Sequence, residues 1–281
     1  SSLKCLQYPS RPQKHQESGN FPDDGFQNNS MRLMSPRTDF TVPQAPCLWQ
    51  YASMHALPHL SAIDWISLGI FFASWSGYAW YSEHSRWGAS GLIRTGHGYR
   101  LQWAYRMLDR DVRITDAALI GNLVTSVSFY ANTTIYIIAG LVAALGASDK
   151  LLSFTTELPF GGAGNRELLE IKLMLLLASF VFAYFKFTWS LRQFNLLSIL
   201  VGAAPLGKTG EPGIDTYAKR VAGANNLAGD DFNRGIRAYY FGLAASGWLL
   251  NPAILGAFAI VVLVVLFRRD YRSPALQLLR D

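Results

Sequence analysis

A glycine-rich segment in the last third of the chain matches the formula of a phosphate-binding loop. It runs Gly202-Ala-Ala-Pro-Leu-Gly207-Lys208-Thr209, with both glycines and the Lys-Thr pair at the required spacing. Such a loop holds phosphate because its backbone N–H groups surround the anion and lead into a helix. Here Pro205 lacks an N–H, and the Gly-Glu-Pro-Gly that follows does not start a helix. We therefore predict a plain flexible loop rather than a nucleotide site.

A second group of candidate residues is polar and lies within an otherwise apolar segment. Asn122, Ser126 and Asn132 stand with several serines and threonines between residues 117 and 147. In lipid such side chains turn inward and find partners. Two interpretations are open: hydrogen bonds between helices, or a polar route or ligand pocket along a helical bundle.

A third group combines arginines and amides with aromatic residues at two places. The first place holds Arg192, Gln193 and Asn195, and the second holds Arg234 and Arg237. Headgroup anchoring would explain both, because Arg, Trp and Tyr are typical of membrane interfaces. The alternative is a site for an anionic ligand, which a guanidinium binds through paired hydrogen bonds.

The sequence shows no nucleophile beside an identifiable base and no cluster of metal ligands, so we predict no enzymatic activity, no cofactor and no metal. The formal net charge is +6, but no nucleic-acid-binding motif accompanies it. The cations instead flank apolar runs, where they meet anionic headgroups. The predicted partner is therefore membrane lipid at the cytoplasmic face, not nucleic acid, and small residues on the helices are compatible with a homo-oligomer.

The elements that position these groups are long apolar stretches. A spanning helix needs about twenty mainly apolar residues to cross a hydrocarbon core of about 30 Å. The sequence predicts an all-α, polytopic transmembrane helical bundle with about four spans, at about 63–81, 117–147, 169–190 and 239–267. Pro252 is expected to kink the fourth span. After the third, residues 194–204 could continue the helix, lie in the interface or re-enter the bilayer.

The chain divides into a polar leader, 1–53, predicted to be disordered, and a membrane domain, 54–281. Segments 84–116 and 192–237 are rich in Lys and Arg, so we predict that both are cytoplasmic loops. The first of them contains helical periodicity, typical of an amphipathic helix. Four spans place both termini outside, although the C-terminal tail is basic.

Several motifs together resemble one known family. They are Leu119-Ile-Gly-Asn122-Leu, Ala131-Asn-Thr-Thr, Trp189-Ser-Leu-Arg192-Gln193-Phe-Asn195 and Phe232-Asn-Arg-Gly-Ile-Arg237. The stretch from about 63 to 273 looks like the multi-pass membrane family known as domain of unknown function 599. The resemblance implies a membrane protein without an assigned activity and adds no mechanism. The predicted location is an integral, multi-pass position in the membrane, which is the inner membrane if the source is bacterial.

Two hypotheses for the function follow. The first is small-solute or anion transport, or ligand binding in the membrane, with Asn122, Asn132, Arg192, Asn195 and Arg237 along a polar inner route. The second is a non-catalytic scaffold or partner subunit whose basic segments bind anionic lipid or another protein.

Overall fold

The structure, a computed structural model, describes residues 60–84, 91–157, 165–207 and 210–279. Within these ranges the chain forms helices and no strands, which confirms the predicted all-helical bundle. The predicted disordered leader, 1–53, lies outside the described residues. The helices are α1 Ala62–His84, α2 Leu92–Leu108, α3 Ile114–Gly146, α4 Ser148–Glu157, α5 Arg166–Gly202, α6 Ile214–Leu250, α7 Pro252–Tyr271 and α8 Pro274–Leu278.

Three helical segments are long and apolar enough to span a membrane: Ile114–Gly146, Arg166–Gly202 and Pro252–Leu278. The chain is therefore a membrane protein. The predicted span 117–147 ends one residue beyond α3, and the predicted span 169–190 lies within α5. The first predicted span lies in α1, which is not among the three, since its Ser, Trp and Tyr side chains lower its mean hydropathy.

The predicted fourth span, 239–267, is wrong as a single helix. Asn251 is extended, with φ −156° and ψ 139°, and its side-chain oxygen accepts a hydrogen bond from the Ala253 N–H at 2.9 Å. Pro252 occupies the first turn of α7, where its missing N–H costs nothing. The proline thus starts a new helix instead of kinking an old one.

The two predicted loops are also largely helical. Residues 194–204 continue α5 as far as Gly202, and α6 begins at Ile214. These two helices therefore occupy most of the segment 192–237. The first segment contains α2, in which Ala104 and Leu108 are buried as the periodicity predicts. The helix ends at Leu108.

Contacts between side chains fix the direction of each helix. Trp248 of α6 lies beside Asp64 of α1, whereas Arg237 lies beside Ser82, so these helices are antiparallel. Helix α7 returns in the opposite direction to α6, because Gly256 packs near Ser67 and Asp270 bonds Tyr78. We call the level of Asp64 and Trp248 the Asn251 end and the level of Ser82 and Asp270 the Arg237 end.

The remaining long helices follow the same two directions. Helix α5 is antiparallel to α6, since Lys172 lies over the Trp248 ring and Lys186 bonds Asp231. Helix α3 is antiparallel to α5, because Tyr130 packs on Phe187 and Arg113 bonds the Ala204 carbonyl. Helix α6 therefore packs against α1, α2, α5 and α7 and is the most enclosed helix of the described chain.

Candidate functional site

Buried charges concentrate on α6 at the Arg237 end. Asp231 is 5% exposed and accepts hydrogen bonds from Lys186 Nζ at 3.1 Å, Gln193 Nε2 at 2.7 Å and Arg234 Nη1 at 3.2 Å. A buried carboxylate is tolerated only when it is paired in this way. Gln193 and Arg234, both predicted as site residues, therefore meet through an aspartate that the sequence did not single out.

Arg237 is the predicted site residue that the fold encloses most, at 5% exposure. Its guanidinium donates to Ser82 Oγ and lies 3.7 Å from Glu83 Oε1. Glu83 also accepts from Arg234 Nε at 2.9 Å. The two predicted arginines of α6 thus share one carboxylate at the end of α1, which ties α1 to α6.

Helix α7 places a further buried carboxylate, that of Asp270, at the same level. It accepts hydrogen bonds from Tyr78 Oη at 2.5 Å and Arg269 Nε at 3.1 Å. Helix α7 thereby contributes an acid and helix α1 a phenol to the Arg237 end. Charges of both signs from three helices converge there.

These groups line a cavity of about 410 Å³, which we call the charged cavity. His97 and Asp230, 2.9 Å apart, close one side of it. The charged side chains in its wall are Glu83, Arg94, Asp230, Arg234, Arg237 and Asp270, and His84 and His97 also line it. Three guanidinium groups face three carboxylates, so the cavity suits a small solute that carries charge, and above all one that carries both signs.

A second cavity, of about 530 Å³, lies between α2, α3, α5 and α6, and we call it the Arg100 cavity. The predicted residues Asn122 and Ser126 line it, together with Arg100, Asn225 and Asn233. Its remaining wall is mostly apolar, from residues such as Leu119, Leu123, Phe194 and Phe232. Asn233 lines both cavities, so they are neighbours.

The other predicted site residues do not join either cavity. Asn132, Arg192 and Asn195 are exposed. The Arg192 guanidinium lies 5.4 Å from the centre of the Trp189 ring. An exposed arginine beside an exposed tryptophan agrees with the headgroup-anchoring interpretation of that motif.

The hydroxyl groups of α3 do not join helices to one another. Ser126 bonds the Asn122 carbonyl at 2.9 Å, Thr133 bonds that of Phe129 at 2.8 Å, and Thr134 bonds that of Tyr130 at 2.6 Å. Each of these hydroxyl groups therefore donates its hydrogen bond to a backbone carbonyl on the preceding turn of its own helix. The predicted interhelical bonding by these hydroxyl groups is wrong.

Between the two ends, aromatic rings fill the bundle. Trp75 stacks on Phe241 at 5.5 Å, Phe71 packs edge-on to Phe241 at 5.8 Å, and Phe180 packs edge-on to Tyr239 at 5.2 Å. Asn132 is exposed and Arg237 is buried, and the two residues of the predicted inner route do not line one cavity.

A family model described as "Protein of unknown function, DUF599" matches residues 66–275, or 210 of the 281 residues. The chain belongs to the DUF599 family. The resemblance seen in the sequence motifs is confirmed. Neither a curated protein nor a solved structure matches the chain.

Of the phosphate-loop formula, the structure of this DUF599 protein describes residues 202–207. Helix α5 leads into the segment at Gly202. The carbonyls of Ala204 and Pro205 accept hydrogen bonds from Arg113, at 2.6 and 2.8 Å. This part of the segment thus presents carbonyl oxygens to a cation. Lys208 and Thr209 lie outside the described residues.

The sequence analysis missed the acids of the site, Glu83, Asp230, Asp231 and Asp270, and also Arg94, His97 and Arg100. The pair at 230–231 gave the clearest signal, because Asp231 and Arg234 are three residues apart on one helix face. The acids at 83 and 270 stand at helix ends, where a charge ordinarily faces water. Only the fold shows that they meet.

Proposed function

We propose that the protein crosses the membrane five times. The passes are α1, α3, α5, residues 238–250 of α6 and α7, which lie side by side between the two ends. The short pass, 238–250, covers only about 20 Å at 1.5 Å per residue. It is enclosed by α1, α5 and α7, and Arg237 at its end reaches the polar level. The short pass is therefore surrounded by longer apolar helices, which hold it in the bilayer although it is too short to span the hydrocarbon core alone.

Five passes also support one orientation. They bring the C-terminal tail to the Arg237 end, together with α2 and the first half of α6. The cations at that end include Arg94, Arg100, Arg106, Arg110, Arg113, Lys219, Arg220, Arg268, Arg269 and Arg272, against Lys150, Arg166 and Lys172 at the Asn251 end. The excess of cations favours the Arg237 end as the cytoplasmic face. The basic tail, which four spans placed outside, then lies inside.

The proposed activity is binding of a small charged solute in the charged cavity, without catalysis. The observation that carries this proposal is the position of Arg237 and Asp270. Both are buried, and both face a cavity of about 410 Å³ at the boundary of an apolar bundle. Ionisable groups buried at such depth in membrane proteins commonly serve ligands or ions. The equal number of guanidinium groups and carboxylates favours a zwitterion over a simple anion.

Binding is supported better than conduction. A solute in the charged cavity meets the stacked rings of Trp75 and Phe241 on the way to the Asn251 end. Transport would require these rings to separate, since tightly packed cores are not continuously deformable. We therefore propose binding from the cytoplasmic side and treat flux as a separate quantity to be measured.

The scaffold hypothesis has one observation in its favour. Glu83, Asp231 and Asp270 each already have protein donors. The charges could thus serve only to join α1, α5, α6 and α7 and leave the outer surface for lipid or another protein. Binding measurements separate the two hypotheses, because a scaffold has no affinity for solutes in that cavity.

The test uses purified protein in lipid nanodiscs and three probes: L-glutamine as a zwitterion, inorganic phosphate as an anion and choline as a cation. We expect L-glutamine to bind and raise the melting temperature. Arg94→Gln should weaken this affinity about fivefold, since an exposed guanidinium in the cavity wall contributes about 1 kcal/mol. Arg192→Gln removes the same charge from an exposed position outside the cavity and should leave the affinity unchanged.

The outcomes discriminate among the hypotheses. Binding of phosphate but not of L-glutamine would show that the cavity is an anion site. Binding of choline would contradict the proposal that the arginines of the cavity bind a negatively charged group of the solute. Binding of none of the three, by a protein that melts cooperatively, would favour the scaffold.

A further inference from the structure

Arg100 projects from α2 onto the backbone of α6. A Cβ atom at Gly229 would overlap the guanidinium of Arg100. The absence of a side chain at that position is therefore what lets the guanidinium rest against α6. Arg100 Nη1 also donates to Asn226 Oδ1 at 3.4 Å. The side chain is thus held in a defined place rather than free in solution.

Arg100 differs from the neighbouring arginines in the acidic groups that contact it. Arg110, Arg234 and Arg237 each lie within 4.0 Å of a carboxylate oxygen. The ion pairs found among residues 60–84, 91–157, 165–207 and 210–279 include none to Arg100. Burial lowers the pKa of the Arg100 guanidinium, and Asp230 raises it, but a guanidinium stays charged at any physiological pH. A partly buried positive charge without a contacting carboxylate favours an anion.

The rest of the Arg100 cavity fits a ligand with a polar and an apolar part. Asn122, Asn225 and Asn233 place three amides in the wall, and no carboxylate lines it. The opposite wall contains Leu119 and Leu123 of α3, which are 48% and 42% exposed. These leucines belong to a helix long and apolar enough to span the membrane. The apolar side of the cavity is therefore continuous with a surface that faces lipid.

We propose that the Arg100 cavity binds one acidic phospholipid. Its phosphate accepts hydrogen bonds from Arg100 and the nearby amides, and one acyl chain lies along Leu119 and Leu123. A water-soluble phosphate would bind Arg100 and the amides in the same way, but it would leave Leu119 and Leu123 uncovered. The proposal does not depend on the solute binding proposed above, because the two cavities hold different sets of charges.

The test is native mass spectrometry of the full chain, loaded with phosphatidylglycerol or with phosphatidylcholine of the same acyl chains. We expect one tightly retained phosphatidylglycerol per chain and weaker retention of phosphatidylcholine. Arg100→Gln should lower retention of phosphatidylglycerol at least about tenfold, because a charge-assisted hydrogen bond in a partly buried site is lost. Arg106→Gln is the matched control, since Arg106 is exposed on the same helix and does not line the cavity.

A second pair of variants keeps the net charge constant. Gly229→Ala should displace the Arg100 guanidinium from the backbone of α6 and lower phosphatidylglycerol retention, by less than Arg100→Gln does because the charge remains. Gly223→Ala adds a methyl group to the same helix in open space and should have no effect on retention. This pair carries the test if Arg100→Gln does not fold.

Three results would overturn the proposal. One is equal retention of phosphatidylglycerol by Gly229→Ala and Gly223→Ala. Another is an equal loss in Arg100→Gln and Arg106→Gln, which would indicate a general effect of surface charge. The third is displacement of the lipid by millimolar glycerol 1-phosphate, which would show that the site takes the free phosphate group.

Discussion

The antiparallel packing of α5 on α6 makes a quantitative prediction at Gly235. A Cβ atom at this position would lie 2.5 Å from Phe187 Cε1 and 2.7 Å from its Cδ1, distances that real carbon atoms do not adopt. Gly235→Ala therefore forces the ring of a fully buried phenylalanine or the helix itself to move. Overpacking of this kind costs about 1–3 kcal/mol. The gain in helix propensity from Gly to Ala returns about 0.5–1 kcal/mol.

The matched control is Gly223→Ala. It has the same propensity gain on the same helix, but a Cβ there meets no atom within 4 Å. The free energies of unfolding of the two variants should thus differ by about 1–3 kcal/mol, with Gly235→Ala the less stable. The assay is unfolding in mixed micelles of rising dodecyl sulfate content, followed by tryptophan fluorescence.

A double variant tests the cause of this difference. Phe187→Leu shortens the side chain that the new methyl group would strike. The combination with Gly235→Ala should therefore cost less than the sum of the two single changes. A Gly235→Ala variant as stable as Gly223→Ala would refute the register of α5 on α6, and with it the geometry of the Arg237 end.

Three further predictions follow from other contacts. The orientation can be tested in a chain whose native cysteines are replaced by serine. An impermeant thiol reagent added to intact cells should label Lys150→Cys and not Ala275→Cys. The reverse pattern of labelling would show that the proposed orientation is inverted. Asp116→Ala removes the acceptor for Trp103 Nε1 at 2.8 Å and Arg110 Nη1 at 2.7 Å, so amide hydrogen exchange in α2 should accelerate, and unchanged exchange would contradict that role. Asn251→Ala should lower the free energy of unfolding by about 1 kcal/mol, because α7 loses its cap, and an unchanged stability would show that the cap is dispensable.

The spans that the sequence predicts well are those whose own composition determines them. Helices α3 and α5 contain long apolar stretches, and both appear where predicted. The segment 239–267 is different, because both halves are apolar and a proline between them is compatible with a kink or a break. Asn251 caps the second half, and Gly247 makes room for Ile254 of the returning helix. These are contacts across a turn, and hydropathy does not contain them.

The candidate site was predictable in part for a similar reason. Arg234, Arg237 and Gln193 stand in motifs that combine cations, amides and aromatic residues, and they do lie at or beside the charged cavity. Their acidic partners come from three other places in the chain, at 83, 230–231 and 270. Each of these acids has the local sequence of an ordinary helix end or a solvated helix face. Their meeting depends on helix directions, which periodicity alone does not specify.

The one-residue connection at Asn251 has a consequence for biogenesis. Residues 238–250 are too few to enter the bilayer as an independent segment, because the insertion machinery recognises a stretch of about twenty apolar residues. Only Asn251 separates them from α7, so we expect them to be drawn in when α7 inserts and the pair to be integrated as one unit. Nascent chains truncated before residue 252 should therefore leave residues 238–250 accessible to protease added at the cytoplasmic face.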